Sequence, residues 1–556
     1  MSIESTKMNF DVDFLVIGAG PAGLQLGYGL ERIGANYQIL ESANEPASFF
    51  RRMPRFRSLI SFNKRRGLYE DPETALRWDW NSLLCDGQLN FGDYSEELYP
   101  SADDLVRYLE DFAERFVHRI RYGVRVMQVD RDPRGGFQVR TQDGGSTWAR
   151  VVVLATGFGA PYVPEIPGIE VVEESYETAD LDRRSYEGQT VLILGKGNSA
   201  FEVADHILPT ASLVHLASPR PIRFAWQTRH AGHLRANYTH LLDTYQLKLL
   251  NSVLDCEINR LWKDGEAYGV ELTYTHAEGE VDRLRYDRVI CCTGFRADLS
   301  FLGPSCAVEM AHDGRLPALE PDWQVKGQPG LYVAGTLMQS NDFQRAATAF
   351  VDGFRYNVRS LLHLLRERYL DAPMPSQALP PEPEPLVSEL LAWVCRTSAL
   401  WAQFGHLCDV VLVDEAQGDR RSVTHVKELP VDLVPRRYAE HPHLYQITFE
   451  WGEWEGDVFA IDRRPRHAAA HTSAFLHPVI RRLSYGKVVD EHHMLEDLFG
   501  MWRHQTASSA LIDHNGRDAK RYHEEEHIRP LVAFFEKHLE PTIEPLTLSP
   551  SAQLGT

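Results

Sequence analysis

The 556-residue sequence has no uninterrupted apolar run approaching eighteen residues, so no membrane-spanning helix is expected. Positive charge is in deficit: 58 Lys and Arg stand against 78 Asp and Glu, a formal net charge of −20. Nucleic acid needs a basic face, so it is not expected as a partner. Cysteine is sparse and unpatterned. Cys85, Cys256, Cys291, Cys292, Cys306, Cys395 and Cys408 are odd in number, scattered, and nowhere spaced C-x-x-C. That excludes a disulfide framework and weakens any dithiol redox centre. Neither "MSIESTKMNFDVDF" at the start nor "SAQLGT" at the end reads as a secretion, retention or lipidation signal, so the cytoplasm is the expected compartment. The remaining balance, 43% hydrophobic and 24% charged, is that of a globular protein of two or three domains.

Two glycine turns stand out. "DFLVIG" is an apolar run without helical period, as in a buried parallel strand, and it leads into Gly18-x-Gly20-x-x-Gly23 and a helical pattern. The first glycine permits a tight turn, the second lets backbone approach a pyrophosphate, and the third lets helix and strand pack closely. The next strand, "YQILE", ends at Glu41, the distance expected of an acid that binds an unphosphorylated ribose. The second turn, "TVLILG" with Gly195-x-Gly197-x-x-Ala200, carries Lys196, Asn198 and Ser199 as variable members. Its following strand ends in Ser218 and Arg220 instead of an acid, which suits the 2′-phosphate of NADPH.

"RVVVLATGFGAP" and "RVICCTGFRAD" are apolar strands that both close in T-G-F, contributing Ala155, Thr156, Gly157, Thr293 and Gly294. "GLYVAGTLMQSNDFQRAATAFVDGF" reads as a strand, a turn at Gly335 and a helix, with Phe343 and Gln344 between them. The first unit is therefore expected to hold FAD and the second NADPH, with a hydride passing from nicotinamide to flavin. The predicted class is α/β: two Rossmann-like dinucleotide-binding domains plus a mainly helical C-terminal extension. The expected boundaries are 1–168 and 288–370 for the FAD domain, 169–287 for an inserted NADPH domain, 371–385 for a proline-rich linker, and 386–556 for the extension.

Several strings are longer than cofactor turns require. "GAGPAGL", "GKGNSA", "ATGF" and "YPSADDLVRYLEDFAERF" resemble the flavin-containing and N-hydroxylating monooxygenases. "SFFRRMPRFRSLISFNKR", "LRWDWNSLL", "LLDTYQLK", "DGFRYNVR" and "SAFLHPVIRRLSYG" resemble the FAD-dependent oxidoreductase domain-containing flavoproteins over nearly the whole chain. The resemblance implies that Gly18, Gly20, Pro21, Ala22 and Gly23 hold the FAD pyrophosphate, and Glu41 with Ser42 its ribose. It puts Phe50, Arg52, Asp79, Trp80 and Asn81 along the flavin and Val126 against adenine through its backbone. Asn63 falls where those enzymes place an asparagine at the reactive face of the flavin.

The implied activity is an FAD- and NADPH-dependent monooxygenase, acting through a flavin C4a-hydroperoxide on the nitrogen of a small amine or amino acid, with O₂ as co-substrate. Lys64, Arg65 and Arg66, or Arg235, would bind a substrate carboxylate. An NADPH-dependent flavoprotein reductase and a flavin-stabilised partner-binding protein remain as alternatives. In 386–556, "LVSELLAWVCRTSALWAQFGHLCDVVLV" has helical apolar spacing and "RYHEEEHIRPLVAFFEKHLE" reads as a terminal helix with a solvated acidic run. His467, His471, His477, His492 and His493 show no ligand spacing, so no metal is expected. The extension could cover the active site, form a homodimer contact or bind a partner.

Overall fold

The structure, a computed structural model, describes residues 9–415, 421–454, 456, 467–505 and 518–539. It divides into two compact units: Met1–Pro375 with Ser398–Cys408 and Glu428–Arg437, and Ser376–Thr397 with Asp409–Lys427 and Tyr438–Thr556. Among the described residues no helix is long and apolar enough to cross a membrane.

The first unit holds two seven-stranded sheets. In one, Val12–Ile17 lies between Tyr37–Leu40 and Ser146–Leu154, parallel to both, with Phe14 opposite Tyr37 and Val151. Leu331–Val333 adds in parallel to the far side of Ser146–Leu154. The central residues Phe14, Leu15 and Val16 are fully buried, which is why this strand reads as a continuous apolar run. The helix Pro21–Arg32 packs on Val351–Leu370. A side chain at Gly29 would collide with Leu362, so the glycine sets how near the two helices come.

In the second sheet Thr190–Leu194 lies between Leu213–Ser218 and Arg288–Cys291, again parallel to both. Arg288–Cys291 belongs to this sheet, four residues beyond the boundary expected at 287. The two T-G-F segments then meet: Ala160–Pro161 pairs antiparallel with Phe295–Arg296, Phe295 opposite Pro161.

The second unit differs from expectation. Helices Pro383–Val394 and Arg529–Leu539 are present where the sequence suggests them, and they pack together. Beside them stands a six-stranded sheet ordered Ser376–Leu379, Arg421–Pro430, Leu407–Glu415, Leu444–Trp451, Leu476–Ser484, Lys487–His493. The extension is thus mixed, not mainly helical. The apolar stretch read as continuous helix ends at Val394, returns only as the short helix Ala399–Ala402, and its end, "LCDVVLVDE", is a strand rich in β-branched valine. Its linker is partly ordered as well, since Ser376–Leu379 pairs with Arg421–Pro430. His492 and His493 lie in a strand, where adjacent side chains face opposite ways.

Candidate functional site

The first glycine turn has the geometry its sequence promises. Gly18 takes φ +109°, and a Cβ there would lie 2.6 Å from the Ala155 carbonyl oxygen. A Cβ on Gly23 would fall on the Gly18 carbonyl oxygen, so both are fixed by close backbone approach. Gly20 is the opposite case: a Cβ there would meet no atom within 4 Å. It sits at the N-terminus of Pro21–Arg32, which has no side-chain cap. Open space before uncapped N–H groups and the positive end of a helix dipole fits an anion such as a pyrophosphate.

Glu41 is 4% exposed, with Oε2 accepting from the Ala19 N–H at 2.7 Å and Oε1 from Ala43 at 2.9 Å. Its carboxylate is thereby held beside the turn, where a ribose diol would lie. Ser42, exposed, only flanks it. Gly335, at φ +78°, completes the cradle: its Cβ would lie 2.5 Å from that of Ala22. Thr156 contributes a buried hydroxyl with no hydrogen-bond partner in the protein, an orphaned polar atom at the strand end that faces the turn. These residues fit FAD. Val126 pairs with Thr141 at the start of its strand. Val124, two residues earlier, donates its N–H to the Glu41 carbonyl oxygen at 2.9 Å and so ties this segment to the end of the second strand.

The second turn repeats the first. Gly195 takes φ +121° with its Cβ direction blocked by the Cys292 carbonyl, and Gly197 faces open space at an uncapped helix N-terminus, Asn198–Ile207. Ala200 is fully buried, filling the third position. Asn198 spends its side chain inside the protein, donating to the Gly232 and His233 carbonyls and accepting from the Arg235 N–H. Lys196 is buried, donates to the Ser218 and Arg220 carbonyl oxygens, and pairs with Asp255. Burial pulls its pKa down against the pull of that carboxylate. Lys196 thus fixes the strand end that presents Ser218 and the exposed Arg220. Beyond Arg288–Cys291 opens a cleft of about 100 Å³, lined among others by Tyr162, Ser199, Cys292, Thr293 and Phe295. It lies outside the carboxyl end of the strands where the strand order reverses, the position a nicotinamide half would take. These residues fit NADPH.

A third group is built by residues 62–99 together with Arg235 and the helix Val351–Leu370. Asn63 is buried; it forms an antiparallel bridge with Asp79, and its Nδ2 donates to the Ser95 and Glu97 carbonyls. Both amide protons are spoken for, which orients Oδ1 as the acceptor. Asp79 accepts from Asn81 and Ser82 N–H, and Asn81 is held by Ser61 and the Phe62 carbonyl. Trp80 packs on Phe62 with ring centroids 4.7 Å apart. Over both rings lies Arg235, 5% exposed, its guanidinium 4.6 Å from the Phe62 centroid and 5.5 Å from that of Trp80. Burial lowers its pKa, and Tyr99 and Asp352 oppose that shift. Asp352 is buried, with Oδ1 lacking a hydrogen bond, and burial pushes its carboxyl up to about 7.

Other expected residues do not join this group. Lys64, Arg65 and Arg66 are all exposed, and Arg65 is paired with exposed Glu96, so the run is a solvated face in which a carboxylate would be screened. Arg52 is exposed. Phe50 packs edge-on against Phe49, and Phe343 stacks on His312 at 4.2 Å. Gln344 takes φ +58°.

A family profile described as pyridine nucleotide-disulphide oxidoreductase matches residues 15–335. The chain is 37% identical over 508 residues to FAD-dependent oxidoreductase domain-containing protein 2 of Mus musculus, covering 84% of this chain and 75% of that one. Its counterpart in Danio rerio is 33% identical, over 88% and 80% of the two chains. The chain belongs to the pyridine nucleotide-disulphide oxidoreductases, and among them to the FAD-dependent oxidoreductase domain-containing flavoproteins. A flavin-containing monooxygenase from Stenotrophomonas maltophilia shares the fold, with a TM-score of 0.50 and 21% identity over 64% of this chain and 98% of that one.

For a pyridine nucleotide-disulphide oxidoreductase the cysteines are unusual. None of the seven is in a disulfide, and burial raises the thiols of Cys85, Cys256, Cys291, Cys292 and Cys306, that of Cys256 to about 11. A thiolate nucleophile needs the opposite shift.

Proposed function

We propose that the protein is an NADPH-dependent flavin monooxygenase of the cytoplasm that oxygenates the nitrogen of a small amine, an amino acid foremost. The observation that carries this reading is the desolvated guanidinium of Arg235 packed over Phe62 and Trp80, in the chain segment next to Asn63. Bound FAD supplies the redox chemistry, taking electrons from NADPH and delivering them to dioxygen. The protein's part is to bind, orient and keep water out.

Arg235 anchors a substrate carboxylate bidentately in a poorly hydrated setting, where such a pair is strongest. Phe62, Trp80 and Tyr99 wall that position. Asn63 offers a fixed acceptor oxygen for an N–H of the flavin ring. Arg220 and Ser218 select the 2′-phosphate.

The test is NADPH-driven oxygen uptake over a panel of amines and amino acids, with products weighed by mass spectrometry. One oxygen atom gained per NADPH by an amino acid is expected. Arg235→Gln should raise KM at least tenfold for that substrate with flavin reduction unchanged. Quantitative hydrogen peroxide with every amine unaltered would overturn the reading. The two dinucleotide cradles alone, with no oxygen step, support a second reading, an NADPH-dependent reductase. NADPH-dependent reduction of a disulfide or quinone without oxygen would identify it.

A further inference from the structure

We propose that Asp497, His523 and His527 form a binding site for one divalent first-row transition-metal ion in the second unit, a site independent of the flavin machinery. Each offers one ligand atom, and the three atoms lie within 4.8 Å of one another. Two histidines four residues apart in a helix project from one face. Here that face is turned inward: His523 is 3% exposed and His527 1%, while Arg521 and Glu525 pair at the surface.

The local backbone is specialised for it. Between the helices Ala519–His523 and Arg529–Leu539 the chain takes a single wide π turn, Glu524–Ile528, a feature concentrated at functional sites. The imidazole centroids are 5.4 Å apart with the rings 34° from parallel, and Tyr522 stands edge-on to both. The carboxylate comes from another segment. Asp497 Oδ1 accepts from the Phe499 and Met501 N–H groups, at 2.9 and 3.0 Å, and Gly500 N–H closes on the Asp497 carbonyl. This tight turn fixes the direction of the side chain before any ion arrives.

Two imidazoles and one carboxylate are donors for zinc, cobalt or iron(II), not for calcium or magnesium, which prefer all-oxygen shells. Ligands about 2.1 Å from a tetrahedral ion stand about 3.4 Å apart, so side-chain rotations moving atoms by about an ångström close the set. Three protein ligands leave a fourth position for water. The expectation of no metal rested on other histidines. Of those, His477 and His493 bond to each other at 2.9 Å and form a separate pair.

The test uses the full-length flavoprotein, stripped with chelator and then given zinc alone. About one equivalent should survive gel filtration, and cobalt should give d–d bands in a difference spectrum against the stripped protein. Asp497→Asn and His523→Gln should each lower zinc retention at least tenfold, and His477→Gln should not. Retention should fall as pH drops through the imidazole range, about 6.5, because the ligands must be neutral. No retained zinc at neutral pH, or full retention in both variants, overturns the proposal. Loss in His477→Gln with full retention in the other two also overturns it. If the variants do not fold, zinc-edge X-ray absorption of the wild type decides: two imidazoles with oxygen support the site, and a thiolate or all-oxygen shell overturns it.

Discussion

Arg355 donates from Nη1 to the Ser82 carbonyl oxygen at 2.7 Å, across 273 residues of sequence. The same fully buried guanidinium donates to the Leu76 carbonyl and to Tyr356. One side chain of the helix Val351–Leu370 therefore holds both ends of the stretch that carries Asp79, Trp80 and Asn81. Arg355→Lys keeps the charge but cannot span three acceptors. It should cost about 2–4 kcal/mol in chemical denaturation and lower bound flavin, read as the ratio of flavin to protein absorbance.

Gly20→Val separates folding from cofactor binding. The added side chain points into space where the protein has no atom, so secondary structure and apo stability should stay near wild type. Retained flavin should fall more than tenfold, because the valine fills the place of the pyrophosphate. Gly23→Val, whose side chain would strike the Gly18 carbonyl, should instead fail to fold.

Arg220→Ala tests the second cradle. A charge-assisted bond to the 2′-phosphate is worth about 2 kcal/mol, about thirtyfold in affinity. The variant should lose that much toward NADPH and little toward NADH in titrations monitored by anaerobic flavin reduction. Equal affinity of the wild type for both nucleotides would remove the assignment.

Asp352 predicts a pH dependence. Burial raises its carboxyl to about 7 from an ordinary 3.8, against the pull of Arg355 and Arg235. The folded state then binds the proton more tightly than the unfolded chain. The stability it contributes is complete below pH 4, declines as pH rises, at up to about 1.4 kcal/mol per unit, and is gone above pH 7. Asp352→Asn should flatten the stability profile between pH 4 and 7. Glu202, raised by burial to about 7 beneath Tyr176, should leave a residual slope that Glu202→Gln reduces, with buried Asp342 and half-buried Glu174, both raised, accounting for more of it.

What could be read from the sequence was what the backbone requires. Gly18, Gly23 and Gly195 are legible because no other residue fits their contacts, and Glu41 because a ribose acid has a fixed place after the second strand. Lys196 reads as a variable member of its motif, yet it ties down Ser218 and Arg220. That role depends on Asp255, whose proximity only the sheet creates. The basic run at 64–66 looks like a binding patch because sequence does not report exposure. Arg355 carries no local signal, since its acceptors are backbone carbonyls far away in the chain. In the second unit, the apolar spacing of a helix runs without a break into a valine strand. His523 and His527 had the spacing of a ligand pair, hidden in an acidic run that looked wholly solvated.

The pairing of Ala160–Pro161 with Phe295–Arg296 means that the chain enters and leaves the second lobe through adjacent strands. The intervening segment is therefore a cassette with neighbouring ends, and nothing in the connectivity of the first sheet depends on its contents. Nicotinamide preference can change by substitution or exchange within the cassette while the flavin cradle keeps its register. Arg235 is an exception: it lies inside the cassette and packs over Phe62 and Trp80 outside it, so an exchange has to keep that contact.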